Sequence, residues 1–441
     1  MANLQQGGKR PEMSSTAPNP APTPRPQPTP TASDLGASDL AACDAADPLG
    51  AFPARFHRPQ GVVYLDGNSL GMLPLSTQAR LAQAVQTQWG EGLIRSWNEA
   101  GWIQAPRRLG DKIARLVGAA PGTVLVADST TLNVVKAVGA ALALRPGRRV
   151  ILAEADSFPT DLYAAHSLAA LLGQGHVLRC VPAEGIAAAL DEHTAVLLLS
   201  HVDFRTGHRH DLAGLTGAAH AAGALTVWDL AHSAGAMPVG LAQAGADFAL
   251  GCGYKFLNGG PGAPSFLYAA PALHAELRFP LSGWLGHAAP FAFEATYRPA
   301  PGIEAAQLGT PPILALVALE AGLDLALEAP LDLVRAKSQL LCEQFIALTQ
   351  AHCPGLTLLT PRMAANRGSQ VSFRHPQAWP VMQALIARGV IGDVRGDILR
   401  FGMTPLTLRH AELWTAVHVL REVLESGLWQ APEYAVRRAV T

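Results

Sequence analysis

Residues 226–235 read T-V-W-D-L-A-H-S-A-G, and residues 247–260 read D-F-A-L-G-C-G-Y-K-F-L-N-G-G. Each begins as an apolar run of strand length and then turns polar among small residues, with Asp229 closing the first and Lys255 following the second. Continuous apolar strands of this kind belong to a mainly parallel sheet buried on both faces. Ligands of such sheets sit beyond the carboxyl ends of the strands, so an acid and an amine delivered there face one site. A carboxylate that keeps a pyridine nitrogen protonated and a lysine that condenses with an aldehyde are the groups needed to hold pyridoxal 5'-phosphate. The glycines around Lys255 let other backbone approach closely.

Outward from this pair, apolar runs recur at residues 123–127, 149–153, 195–200, 224–229, 247–251 and 265–268. Helical stretches at 132–144, 161–172 and 212–222 lie between them. Strands alternating with helices predict an α/β unit. After about Gly322 the pattern changes to a long helix over 331–351, strand candidates at 355–360, 369–374 and 397–401, and a helix over 380–388. The expected division is a large α/β domain over 76–322 and a smaller α+β domain built from 46–75 and 323–441.

The chain has 441 residues, 49% of them hydrophobic, enough to bury a large core. Its 33 basic and 34 acidic side chains nearly cancel, which leaves no electrostatic footprint for nucleic acid or an anionic membrane and favours a small-molecule partner. The five cysteines are scattered, with no C-x-x-C pair and no metal spacing, and suit a reduced compartment. Cys43 reads as exposed and the other four as buried. No apolar run reaches the roughly 18 residues of a spanning helix, and the N-terminus lacks a secretory hydrophobic core, so a cytoplasmic protein is expected. Residues 1–45 alternate Pro with small polar residues over much of their length and are expected to be a disordered extension.

Ser129, Thr130 and Thr131 follow a strand and open a helix. Hydroxyls and free backbone N–H groups converge there on a positive helix end that suits a phosphate. Taken alone, the same triplet reads as an ordinary N-cap. Asp161 likewise reads equally well as an acid favoured by a helix N-terminus.

Several longer motifs point to one family. They are Y-L-D-G-N-S-L-G (64–71), W-G-E-G-L-I-R-S-W-N (89–98), S-F-P-T-D (157–161), the two stretches quoted first, G-W-L-G-H (283–287) and G-T-P-P-I-L (309–314). In this order, from about Leu49 to about Leu406, the chain resembles the kynureninases, fold-type I pyridoxal-phosphate hydrolases. The resemblance implies a mainly parallel seven-stranded sheet, a homodimer with active sites at the subunit interface, and hydrolysis of L-kynurenine to anthranilate and L-alanine.

It also implies roles for individual residues. Lys255 is the Schiff-base lysine, Asp229 partners the pyridinium nitrogen, Phe158 stacks on the ring, and Asp161 supports the ring's polar edge. Thr130, Thr131, Ser200, Tyr254 and Trp284 surround the phosphate and ring substituents, and His232 lies beside the cofactor. Tyr254 is the candidate for later proton transfer. Trp284 and Thr310 match residues that reach across a dimer interface in this family. Arg400, in I-L-R-F-G-M-T-P, matches the arginine that grips the substrate's α-carboxylate, and its planar fork suits that partner. Asn68, Ser69, Trp97, Asn98 and Thr310 would surround the substrate's aromatic ring. Relatives that prefer 3-hydroxykynurenine tend to carry a histidine in the W-N segment and an asparagine where Thr310 stands. This chain has neither, which predicts L-kynurenine as the better substrate.

Overall fold

A computed structural model describes residues 35–438. In chain order the strands are β1 (Val63–Tyr64), β2 (Val124–Val126), β3 (Val150–Glu154), β4 (Val177–Val181), β5 (Thr194–Ser200), β6 (Leu225–Asp229), β7 (Phe248–Cys252), β8 (Ser265–Ala269), β9 (Thr357–Leu358), β10 (Gln370–Arg374), β11 (Val390–Ile391), β12 (Asp393–Arg395) and β13 (Ile398–Gly402). The large sheet has the order β2-β8-β7-β6-β5-β3-β4. It is parallel from β7 through β6, β5 and β3 to β4, while β8 runs antiparallel to both of its neighbours.

Alternate residues of the central strands feed two separate cores. Leu197 and Leu199 of β5 pack with Leu109, Ile113 and Leu316 on one face. Val196 and Leu198 pack with Val134, Val138 and Leu168 on the other. This two-residue alternation on a strand buried throughout is what helices on both faces produce. At roughly 25 cal/mol per Å² of apolar surface, such burial is the main favourable term holding the sheet.

A third core joins Leu40, Val63 and Leu65 to Leu341, Phe345, Phe373, Leu385 and Phe401. It underlies a four-stranded antiparallel sheet of order β12-β13-β10-β9, and β1 pairs in parallel with β11. Val63 and Leu65, which precede Pro74, thus pack with the C-terminal elements. Helix Ile313–Glu328 runs across residue 322, where the sequence suggested a division.

Four details differ from expectation. Residues 37–45, expected to belong to a disordered extension, lie in a helix, Ala37–Ala46, with Leu40 fully buried. Asp44 of that helix caps another, accepting from the backbone N–H groups of His410 and Ala411 at 2.7 and 2.9 Å. Residues 1–34 of the expected extension lie outside the described residues. Strand β4 went unread because it is a sheet edge whose side chains are half exposed and carry Arg179 and Cys180. For the same reason Cys180 is the exposed cysteine, while Cys43 is partly covered and accepts from Gln344 Nε2 at 3.4 Å.

Candidate functional site

The ends of β5 and β6 lie in register, with Ser200 opposite Asp229. A cavity of about 310 Å³ opens beyond them, lined by Thr130, Thr131, Phe158, Ser200, Asp229, His232, Tyr254 and Lys255 among others. These are eight of the residues singled out in the sequence.

The helix opening on the cavity starts at Thr130, two residues earlier than its apolar pattern suggested, with Ser129 as N-cap accepting from Leu132 N at 3.4 Å. Thr130 and Thr131 thus occupy its first turn, where backbone N–H groups lack helical acceptors. Asp128 precedes the turn in a left-handed conformation, φ +53°. Its carboxylate pairs with Lys136, whose Nζ also donates to the Ala306 carbonyl at 2.7 Å.

Phe158 stands at the start of helix Pro159–Leu172, 41% exposed toward the cavity, and packs edge to face on Phe204 with centroids 5.2 Å apart. Lys255 Nζ lies 6.0 Å from the Phe158 ring centroid and 3.0 Å from Nε2 of His232. Burial first, then the charge of Lys255, holds the His232 imidazole well below its ordinary pKa. A neutral ring accepts from the lysine through Nε2 and carries its proton on Nδ1, which makes no hydrogen bond of ordinary geometry.

Asp229 accepts from Ala231 N at 2.8 Å. Asp161 is buried behind it, and both of its oxygens lack a hydrogen bond of ordinary geometry. Burial, and then the charge of Asp229, push the Asp161 carboxyl well above the usual range. Burial also raises Asp229, opposed by Lys255, the Ala231 N–H and Asp161. Of the pair, Asp161 is the member held further above the carboxylate range, and Asp229 the one drawn back toward its charged form. Burial, followed by the nearby Cys252 and Asp229, raises the Tyr254 phenol, which stays protonated at neutral pH.

This donor set fits pyridoxal phosphate. A helix N-terminus with two threonines suits the dianionic phosphate, the exposed Phe158 face suits a planar ring, Asp229 suits a ring N–H, and Lys255 suits the aldehyde carbon. The under-bonded oxygens of Asp161 and Nδ1 of His232 are polar atoms that a ligand network can satisfy.

Other expected residues stand elsewhere. Trp284 lines a separate cavity of about 540 Å³ with Phe293 and Tyr297, is 45% exposed, and packs on Phe291. Thr310 lines a small recess that shares Asp128 with the main cavity. Trp97 and Asn98 sit on the short helix Ser96–Glu99, where Trp97 packs on Trp102 at 5.7 Å. Asn68 is fully buried with its amide oxygen and nitrogen unpartnered.

Arg400 departs from expectation in its partner. It already holds a carboxylate, since its Nε donates to Asp393 Oδ1 at 2.6 Å and its Nη2 donates to Asp393 Oδ2. Nη2 also reaches Ser69 Oγ at 3.2 Å, and Nη1 donates to the carbonyl of Phe204. Sequence reasoning missed Asp393 and Phe204. Neither carries a local signal, because Asp393 meets Arg400 only through the antiparallel register of β12 and β13.

The loop of residues 64–71 also touches the lysine. Gly71 N donates to the Tyr254 carbonyl at 2.7 Å. A Cβ at Gly71 would stand 2.3 Å from the carbonyl oxygen of Lys255, so only glycine fits there.

Residues 334–420 match the family model of the kynureninase C-terminal domain. A kynureninase of Burkholderia pseudomallei (strain 1106a) is 49% identical over 412 residues, covering 91% of this chain and 99% of its own. That of Pseudomonas fluorescens is 48% identical, covering 92% of this chain and 99% of its own. Among solved structures, a cysteine desulfurase of Escherichia coli superposes with TM-score 0.69 at 20% identity, over 86% of this chain and 98% of that one. A mutant of the protein C-DES, solved with glycine covalently linked to its PLP cofactor, gives 0.68 at 18% identity, over 82% and 97%. At such identity the structural likeness carries the fold alone. Cys342 and Cys353 are buried here, with thiols raised by burial to about 11 and about 12. Neither is placed as an exposed nucleophile.

Proposed function

The chain belongs to the kynureninase family, and on that premise we propose that it hydrolyses the Cβ–Cγ bond of L-kynurenine to anthranilate and L-alanine, with pyridoxal 5'-phosphate in the cavity beside Lys255. The observation that carries this reading is the meeting of Lys255, Asp229 and the Thr130–Thr131 helix start around one cavity. Bound there, the cofactor supplies an electron sink for the charge that develops first at Cα and then at Cβ.

The chain's own groups do the rest. Thr130 and Thr131 hold the phosphate with the helix N–H groups, and Phe158 fixes the ring plane. Asp229 faces the ring nitrogen, its charged form favoured against burial by Lys255, the Ala231 N–H and Asp161 behind it. Ser200, in register with Asp229, offers a hydroxyl at the same strand end.

Lys255 would take the Cα proton, and neutral His232 holds its amine by accepting from it. Tyr254 enters each turnover protonated and donates in the cleavage phase. Arg400 binds the α-carboxylate. Asn68, Ser69, Trp97, Asn98 and Thr310 shape the ring pocket in favour of L-kynurenine over its 3-hydroxy derivative.

A homodimer completes the site in this reading. Trp284 and Thr310 lie outside the cavity, and Trp284 belongs to an exposed aromatic row with Phe291 and Phe293. The division into a large domain over 76–322 and a small one from 46–75 and 323–441 belongs to the same proposal, as does a cytoplasmic location. No helix among the described residues is long and apolar enough to cross a membrane.

The test is direct. The purified protein should be yellow and should release fluorescent anthranilate from L-kynurenine, and Lys255→Ala should abolish both properties. A Lys255→Ala protein that still turned over would end the reading.

A further inference from the structure

Arg400 is almost wholly buried, and its guanidinium is spoken for on most sides. Nε and one Nη2 hydrogen go to Asp393, the other Nη2 hydrogen to Ser69 Oγ, and one Nη1 hydrogen to the Phe204 carbonyl. One Nη1 hydrogen remains, on the edge next to Phe204, a residue that lines the cavity. Ser69 closes the arrangement by donating to Asp393 Oδ2 at 2.8 Å. Asp393 also accepts from Arg395 at 2.8 Å.

We propose that Asp393, tied in by Ser69, is the positioning residue of the substrate-carboxylate subsite: it turns the Arg400 fork away from side-on capture and presents only the Nη1 edge to an incoming α-carboxylate. A guanidinium with no fixed counter-charge could swing through several rotamers. One clamped along its Nε–Nη2 edge has a single orientation, and the entropy of ordering it is spent before the ligand arrives. The cross-strand pairing of Asp393 with Arg400 makes the clamp part of the sheet. The geometry also keeps the ligand end-on, so a carboxylate attached to a tetrahedral Cα approaches from the Phe204 side, where Phe158 and Lys255 stand.

This inference rests on the reading of Arg400 as the carboxylate-binding residue, and the test separates the two. Steady-state kinetics with L-kynurenine are measured for Asp393→Asn, Ser69→Ala, Arg400→Gln and the Asp393→Asn/Arg400→Gln double variant. Competitive inhibition by the amine analogue that lacks the α-carboxylate is measured alongside.

Asp393→Asn should raise KM roughly tenfold or more with kcat within about twofold. Inhibition by the carboxylate-free analogue should stay unchanged, and the double variant should show no KM loss beyond that of Arg400→Gln. Ser69→Ala removes one tie without stranding the buried cation and should raise KM in the same sense while leaving inhibition by the carboxylate-free analogue unchanged, which a lost ring contact would not, and this keeps the test available if Asp393→Asn folds poorly.

Arg400→Gln with normal KM would refute the carboxylate reading itself. Raised KM in Arg400→Gln but normal KM in both Asp393→Asn and Ser69→Ala would refute the positioning role alone. Equal weakening of the carboxylate-free analogue, or additive losses in the double variant, would overturn it as well, since either means that Asp393 acts through something other than Arg400.

Discussion

Lys136 is fully buried, and its ammonium closes on the carboxylate of Asp128, the residue that leads into the Ser129–Thr131 turn. An aspartate lining a cavity meant for a phosphate would repel it, and this lysine cancels that charge from inside the protein. Replacing Lys136 by Met should cost roughly 3 kcal/mol, the lower end for breaking a buried pair, because the partly exposed Asp128 can rehydrate. The check is a lower denaturant midpoint with unchanged m, accompanied by weaker pyridoxal phosphate binding in a spectrophotometric titration.

Asp161 supplies a pH prediction whose sign follows from burial. A carboxyl raised in the folded state keeps its proton when the unfolded chain has lost it, so its cost to stability grows as pH climbs above the ordinary value of about 4. Asparagine mimics the protonated acid and carries no such cost. Without cofactor, Asp161→Asn should melt at or above the parent temperature at pH 7, and the advantage should shrink to nothing near pH 4. A variant that melts lower at pH 7 would contradict the assignment.

Tyr254→Phe should lower kcat by about 100-fold or more with little change in KM, the signature of a lost proton donor rather than a lost ligand. The raised phenol predicts that no loss of activity up to pH 9 arises from ionisation of this group. A variant with kcat near the parent value removes Tyr254 from the chemistry.

For substrate choice, kcat/KM should favour L-kynurenine over 3-hydroxykynurenine. A preference of about tenfold in the other direction, roughly 1.4 kcal/mol, would reverse the assignment built on Trp97 and Thr310. Thr310→Asn should move the ratio toward the hydroxylated substrate.

The dimer prediction is a mass twice that of the 46.2 kDa chain in sedimentation. Trp284→Ala should weaken cofactor binding if this side chain serves the second copy's cavity. An active monomer would refute the shared site.

The central strands, and Thr130, Thr131, Ser200, Asp229 and Lys255 among the cavity residues, were legible because their signals are local: apolar runs of strand length, an acid or hydroxyl at a run's end or a helix start, and glycines beside a lysine. Phe158, His232 and Tyr254 carry no such signal and came only with the resemblance to the family. β4 was not legible, since a half-exposed edge strand has no continuous apolar run. The helix Ala37–Ala46 was lost beneath the adjoining Pro-rich composition, with Leu40 as its one buried side chain. Asp393 escaped for a different reason. Its meaning depends on which residue a neighbouring strand sets opposite it, and that register is a product of the assembled sheet.

Two residues of one short loop meet the two halves of the site, Ser69 at the guanidinium of Arg400 and Gly71 against the peptide of Lys255. Only Leu70 separates them, too little chain to act as a hinge. The same short stretch is therefore anchored at both ends, by a side chain at Ser69 and by the missing one at Gly71. Any side chain introduced at position 71 would press on the backbone that carries the lysine, whereas trimming Ser69 leaves that backbone contact in place.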